Sequence, residues 1–201
     1  MKKAVVIGLT GQTGAGKSTV CKIFSNANMF VIDADKVARE VLENEKRCLA
    51  DIILEFGCLY LTSSGNLDRG KLGSFVFANK DKLKRLNAIT FPYILKSIKD
   101  KINENLYKQN VIIIDAPTLF ESGADEFCDK IVSVIAREEL RKYRIIQRDN
   151  LSEADAQNRI NSQHNDDYYT GKSWIVIDNS EDIGELEAKT YDAINEINNL
   201  A

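Results

Sequence analysis

The segment Ala4-Val5-Val6-Ile7-Gly8-Leu9 is followed, after Thr10, by Gly11-Gln12-Thr13-Gly14-Ala15-Gly16-Lys17-Ser18. The second segment matches the pattern GxxxxGK[ST], which is typical of a loop that binds a phosphate chain. The first is a nearly continuous apolar run, as expected of a parallel strand buried on both faces. Glycines between such a strand and a helix let backbone amides approach phosphate oxygens. We therefore expect a central sheet that begins at this strand and a loop that binds a nucleoside triphosphate.

The side chains at the end of this loop are those that hold ATP and Mg²⁺. Lys17 is expected to bridge the β and γ phosphates, and the Ser18 hydroxyl to bind Mg²⁺. The alternative is a glycine turn that only links a strand to a helix. The predicted nucleotide-binding residues of the loop are Gly14, Ala15, Gly16, Lys17, Ser18 and Thr19.

Apolar β-rich runs alternate with helical patterns along the chain, which predicts an α/β three-layer sandwich with a parallel five-stranded central sheet. The predicted strands are Ala4–Leu9, Met29–Ile32, Val111–Ile114, Ile131–Ile135 and Trp174–Ile177.

The second and third predicted strands are separated by far more residues than a crossover needs, which predicts a helical insertion at 44–110. Within it, Lys80–Asn105 has a helical pattern that we expect to be interrupted near Pro92. Further on, Ser152 and Asp155 form a capping-box pattern that predicts a helix through Gln163. A last helix is predicted at 183–197.

Composition excludes several classes of protein. Hydrophobic residues make up 44% of the 201 residues and charged ones 28%, which excludes wholesale disorder. The formal net charge of -3 argues against a protein that coats nucleic acid. No apolar run approaches the roughly 20 residues of a membrane span, and no signal peptide is recognised. Four cysteines without a CxxC pair predict reduced thiols in a cytoplasmic protein.

Two carboxylates, Asp33 and Asp35, lie at the end of the second predicted strand, where α/β sheets place their ligands. A carboxylate there can accept the proton of an attacking hydroxyl, although either residue could instead cap the following helix. Asp115 ends the third predicted strand and is either a group near magnesium or a strand-end cap. Because no NKxD motif is present, a GTPase is disfavoured, and a compact kinase fits better than a motor ATPase.

Several further motifs, in one order along nearly the whole chain, resemble those of dephospho-coenzyme A kinases. They are Gly8-Leu9-Thr10-Gly11, Ile32-Asp33-Ala34-Asp35 with Arg39, Gly65-Asn66-Leu67-Asp68-Arg69, Asp115 to Gly123, Arg144 to Asp149, Arg159 to Gln163, and Ile177-Asp178-Asn179.

This resemblance implies transfer of the ATP γ phosphate to the ribose 3′-hydroxyl of dephospho-coenzyme A, giving coenzyme A and ADP. It also implies that the insertion binds the acceptor and that a lid at 137–165 closes the site. The implied catalytic residues are Lys17, Asp35, Asp33 and Arg144; the implied lid contact to ATP is Arg148; the implied acceptor-binding residues are Asp35, Arg39, Asp68, Arg69 and Pro92; and the implied magnesium ligands are Ser18 and Asp115.

One departure from the family pattern is Phe91-Pro92, where the family usually has His-Pro. Other interpretations stay open: another small-molecule nucleoside or nucleotide kinase, or a non-catalytic P-loop module that binds ATP and a protein partner. We expect ATP and dephospho-coenzyme A as partners, no nucleic acid or membrane, and a monomer or weak homo-oligomer. The lone His164 is expected to be a surface residue.

Overall fold

A computed structural model describes residues 2–201. Its five strands form one parallel sheet, as the sequence predicts, and each differs from its predicted range by one or two residues at an end. The strands are β1 (Val5–Gly11), β2 (Phe30–Asp33), β3 (Val111–Asp115), β4 (Lys130–Ile135) and β5 (Ile175–Asp178).

The strand order in the sheet is β2-β3-β1-β4-β5, which makes β1 the central strand. β1 pairs in parallel with β3, where Leu9 is opposite Asp115, and with β4, where Gly11 is opposite Val134. The carboxyl end of β1 therefore lies between two parallel neighbours. Because β2 and β3 lie on one side of β1 and β4 and β5 on the other, this end is the switch point where α/β sheets bind their ligands.

The described chain also contains ten α-helices and two short 3-10 turns, joined by loops. The helices are α1 (Lys17–Asn26), α2 (Ala34–Asn44), α3 (Lys46–Phe56), α4 (Arg69–Phe77), α5 (Lys80–Asn105), α6 (Leu119–Ser122), α7 (Glu138–Asp149), α8 (Glu153–Asn161), α9 (Asp166–Thr170) and α10 (Ile183–Leu200). The 3-10 turns are Cys58–Tyr60 and Ala124–Phe127.

The chain divides into two compact units. The first contains the residues up to Ile32 together with Glu104–Ala201, and the second is Asp33–Asn103. The boundaries expected for the helical insertion, 44–110, stay a prediction.

The first unit is built around the apolar residues of β1, β3, β4 and β5. Ile7 and Leu9 of β1, Ile113 of β3 and Phe24 of α1 are fully buried in one cluster. A smaller cluster joins α7 to α8 through Ile145, which is also fully buried. The sheet and its cluster fix the end of β1, and the smaller cluster fixes α7.

The helix that contains Pro92 is continuous, so the expected interruption of α5 is wrong. Proline removes one main-chain hydrogen bond, but Pro92 is exposed, so its ring projects toward solvent. On the other side, Thr90, Ile98 and Ile102 are buried, and this burial holds the helix together across the proline.

The starts of α8 and α10, at Glu153 and Ile183, follow the sequence closely. The Ser152 hydroxyl accepts a hydrogen bond from the Asp155 amide at 3.1 Å, which confirms the predicted cap of α8. α8 ends at Asn161 rather than at Gln163, and α10 runs three residues beyond its predicted end at Ile197. No helix among residues 2–201 combines the length and the hydrophobicity needed to cross a bilayer.

Candidate active site

The phosphate-binding loop joins β1 to α1 and contains several backbone amides that form no hydrogen bond within the described chain. In the described chain, the amides of Gly14, Gly16, Lys17 and Ser18 donate to no protein acceptor, whereas the Ala15 amide donates to the Gln12 carbonyl at 3.1 Å. Three of these free amides lie at the N-terminal end of α1, where the helix dipole adds positive potential. Such a row of amides is an anion-binding nest.

The lysine of the loop is paired with the aspartate that ends β3. Lys17 Nζ lies 2.5 Å from Asp115 Oδ1, and the two side chains are only 17% and 15% exposed. The pairing follows from the sheet register, because Asp115 lies opposite Leu9 on the neighbouring strand. Asp115 is therefore next to the phosphate-binding loop, and its role as a magnesium ligand or as a strand-end cap stays a prediction.

Two side chains donate hydrogen bonds to backbone carbonyls of the loop. Asn179, which follows β5, donates from Nδ2 to the Ala15 carbonyl at 2.7 Å. Arg144 of α7 donates to the Gly14 carbonyl at 3.4 Å and to the Asn179 carbonyl at 3.2 Å. Arg144, a predicted catalytic residue, thus lies beside the loop.

A second outer contact is made at Thr13 by Arg141 of α7 and by Gln163, which follows α8. Arg141 Nε donates to the Thr13 carbonyl at 3.1 Å, and the Thr13 amide donates to Gln163 Oε1 at 2.8 Å. Next to them, Gln12 Nε2 donates to Asp166 at 2.7 Å. Burial lowers the pKa of the Arg141 guanidinium from its ordinary value, and the nearby negative charge of Asp166 opposes that shift.

Among the described residues, Arg148 and His164 form no hydrogen bond or ion pair with the loop. Arg148 makes two hydrogen bonds of 2.8 Å to Asp149 and is exposed. These bonds, first among several causes, lower the pKa of Asp149 to about 2. His164 is exposed, stacks on Tyr168 and lies 3.4 Å from Glu121, as a surface histidine would.

The second unit contains the two predicted catalytic aspartates, Asp33 and Asp35, and the predicted acceptor-binding residues. Asp33 is the N-cap of α2 and accepts a hydrogen bond from the Lys36 amide at 2.9 Å. Asp35 lies in the first turn of the same helix, Arg39 is one turn further on, and all three predicted residues are exposed.

The other predicted acceptor-binding residues lie at the start of α4 and within α5. Asp68 caps α4 by accepting from the Lys71 amide at 2.9 Å, and Arg69 pairs with Glu43 at 3.2 Å. Pro92 lines a cavity of about 440 Å³ together with residues that include Asp51, Leu54 and Tyr93.

The family-like motifs include Gln163 and Asn179, and the predicted lid includes Arg141, but the sequence patterns give none of the three a contact with the loop. A signal for Asn179 was available, because it is the polar residue that directly follows a predicted strand. Arg141 stands where the family commonly has glutamine, but this departure alone does not indicate a contact with the loop.

Gly16→Ala is expected to weaken ATP binding at least tenfold. Gly16 has φ +98°, and a Cβ atom there would lie 2.3 Å from Asn179 Nδ2, the donor to the Ala15 carbonyl. The change would displace that donor and disturb the nest. The measurement is calorimetric titration with ATP.

The matched control is Gly123→Ala, since Gly123 has φ +80° but no atom within 4 Å of its Cβ position. The control carries the same backbone strain, about 1–2 kcal/mol, without the collision. Equal loss of ATP affinity in both variants would show that the contact with Asn179 is not the cause.

A phosphate-binding loop after the central strand of a parallel five-stranded sheet defines a P-loop protein with the fold of small-molecule kinases. A shikimate kinase from Bacteroides thetaiotaomicron has this fold, with a TM-score of 0.53 and 16% identity over 96% of this chain and 98% of its own. The family model described as Dephospho-CoA kinase matches residues 5–185, and the chain belongs to that family.

Individual relatives agree with this assignment. A dephospho-CoA kinase from Fusobacterium nucleatum is 41% identical over 92% of this chain and 94% of its own length. The solved dephospho-CoA kinase from Campylobacter jejuni has a TM-score of 0.73 and 29% identity over 96% of this chain and 97% of its own. The resemblance inferred from the sequence motifs is confirmed, and with it the class of enzyme, a kinase.

Proposed function

We propose that this protein transfers the γ-phosphoryl group of ATP to the ribose 3′-hydroxyl of dephospho-coenzyme A, giving coenzyme A and ADP. The observation that carries the proposal is the nest of free amides beside the Lys17–Asp115 pair, in a chain of the dephospho-CoA kinase family. Phosphoryl transfer needs positioning and positive charge more than it needs covalent chemistry from the protein.

The nucleotide is held by the loop. The free amides of Gly14 and Gly16 face its phosphates, and the Lys17 ammonium neutralises charge on the β and γ phosphates. Ser18 and Asp115 would hold Mg²⁺, since a hydroxyl and a carboxylate are the oxygen ligands this ion takes alongside phosphates and water. When bound, Mg²⁺ neutralises charge that develops on the phosphates.

Asp35 is the proposed general base for the attacking hydroxyl. Asp33 already accepts the Lys36 amide as the cap of α2, so one of its oxygens has a structural task. Asp35 lies two residues further on in the first turn of α2 and is exposed. We therefore assign proton abstraction to Asp35 and the orientation of the turn to Asp33.

The remaining proposed acceptor contacts are made by the second unit. Arg39 and Arg69 supply exposed cationic groups for the pyrophosphate of the acceptor, and Asp68 holds the start of α4 by capping it. Pro92 contributes an apolar wall. The lid, 137–165, brings the charge of Arg144 and Arg148 toward the nucleotide and excludes water. We place the enzyme in the cytoplasm, as a monomer or weak homo-oligomer.

The test is an ADP-release assay with MgATP that compares dephospho-coenzyme A with nucleosides, nucleoside monophosphates and a control without acceptor. We expect release that depends on dephospho-coenzyme A, with coenzyme A as the product. Release with another acceptor only would contradict the proposed substrate, and release in no mixture would contradict the proposed reaction.

A further inference from the structure

Both backbone groups of Thr13 are held by one pair of side chains. Arg141 Nε donates to its carbonyl at 3.1 Å, and Gln163 Oε1 accepts from its amide at 2.8 Å. The pair is closed by a third hydrogen bond, from Arg141 Nη2 to the same Gln163 oxygen at 3.2 Å. The Thr13 carbonyl and amide, which directly precede the free amide of Gly14, are thus held in one orientation.

The direction of this carbonyl determines where the next amide points. In a planar trans peptide the carbonyl and the following N–H point to opposite sides. Because Arg141 draws the Thr13 carbonyl toward α7, the Gly14 amide of the same peptide faces away from α7, and it is one of the free amides of the nest.

The backbone of α7 also lies directly against the loop. A Cβ atom on Gly14 would be 2.7 Å from the Arg141 carbonyl oxygen and 3.1 Å from Ile145. The backbone of Arg141 is therefore in close contact with the loop at the residue that follows Thr13.

Arg141 is a costly residue to bury. It is 4% exposed, and its guanidinium is held by hydrogen bonds to Thr13 and Gln163, with Asp166 as a nearby negative charge. A buried cation without an ion-pair partner gives a fold little support, because loss of hydration opposes its charge. What a hydrocarbon lacks is the pair of directed donors that Arg141 supplies to Thr13 and Gln163.

We infer that Arg141 and Gln163 act together as positioning residues, which hold the Thr13 peptide so that the loop amides face the phosphates and thereby set the affinity for ATP. The inference rests on the nucleotide-binding half of the proposed function and is independent of the acceptor. Neither side chain is assigned a contact with the nucleotide.

The experiment measures ATP affinity by calorimetric titration, without acceptor, for Arg141→Met, Gln163→Leu and the double variant. We expect each single variant to bind ATP about tenfold more weakly, because each leaves a Thr13 backbone group without its partner. The double variant should bind about as weakly as either single one, since the two side chains act as a unit. Thermal unfolding without nucleotide should occur at a slightly lower temperature in each single variant, because one buried backbone group loses its partner, and the titrations are therefore made well below the unfolding midpoint.

The matched control is Lys142→Met on the same helix, where Lys142 makes only a surface ion pair with Glu153. It should bind ATP within twofold of the natural chain. If Arg141→Met does not fold, Arg141→Lys serves instead, because it keeps the charge but cannot supply the same two directed donors, and it too should weaken binding.

Natural affinity in these variants, additive losses in the double variant, or an equal loss in Lys142→Met would overturn the inference. Kinetics gives a second readout, since we expect the KM for ATP to rise and the KM for the acceptor to stay. If the natural chain does not use dephospho-coenzyme A while the variants still lose ATP affinity, the proposed function fails and the positioning role stands. If turnover is as proposed and ATP affinity is unaffected, only the positioning role fails.

Discussion

Lys17→Ala is expected to reduce kcat by a factor on the order of 10²–10³ or more. Lys17 belongs to the loop itself, beside its free amides, and its ammonium lies 2.5 Å from Asp115 at the end of β3. Charge stabilisation of this kind in a transition state contributes about that much to the rate. The measurement is steady-state ADP release with saturating MgATP and dephospho-coenzyme A.

A loss of activity in this variant needs to be separated from a loss of structure. Removing Lys17 leaves the Asp115 carboxylate, which is 15% exposed, without its partner. The variant Lys17→Ala/Asp115→Asn removes that charge as well, so its thermal stability should recover while its activity stays low. Lys22→Ala, an exposed lysine further along α1, is the control for position on the helix. Turnover near the natural value in Lys17→Ala would contradict the role of this lysine.

Asp35→Asn is expected to lower kcat by a factor on the order of 10²–10⁴, with ATP affinity kept. The change removes a proton acceptor and almost no volume, and general-base catalysis contributes rate factors of that size. ATP affinity should be unaffected because the amides that bind phosphate belong to the loop before α1, whereas Asp35 belongs to α2. Single-turnover kinetics, together with titration of ATP, separates the chemical step from binding.

The comparison that decides between the two aspartates is Asp33→Asn. Asparagine caps a helix about as well as aspartate, so this variant keeps the hydrogen bond to the Lys36 amide and loses only the charge. We expect a smaller decrease in kcat than for Asp35→Asn. The opposite order would exchange the roles of the two carboxylates.

The sequence was sufficient for the sheet and the loop because both are specified locally. Continuous apolar runs such as Val111–Ile114 are characteristic of parallel strands buried on both faces. The glycine pattern at 11–18 is typical of a phosphate-binding loop between a strand and a helix. The Ser152 cap is equally local, since its hydroxyl reaches an amide three residues away. The predicted interruption of α5 at Pro92 was wrong because a proline usually breaks a helix, whereas the packing of Ile98 and Ile102 keeps α5 continuous.

What the sequence did not predict depends on contacts between distant residues. Arg141 and Thr13 are separated by 128 positions, and Asn179 and Ala15 by 164. Only the order of strands in the sheet and the packing of α7 bring these pairs together. The ion pair of Lys17 with Asp115 is intermediate, because each residue was recognised alone but their contact follows from the register of β1 with β3.

The predicted lid, 137–165, forms hydrogen bonds with the phosphate-binding loop at two places. α7 is fastened to the loop by Arg141 and Arg144, and the chain returns to the loop at Gln163 after α8. When this segment closes, we expect both attachments to adjust together, because a turn about a single hinge would break one of them. Slow hydrogen exchange is therefore expected at the Thr13 amide even before nucleotide binds, and a compound that breaks only one attachment would weaken ATP binding without competing for the phosphate-binding amides.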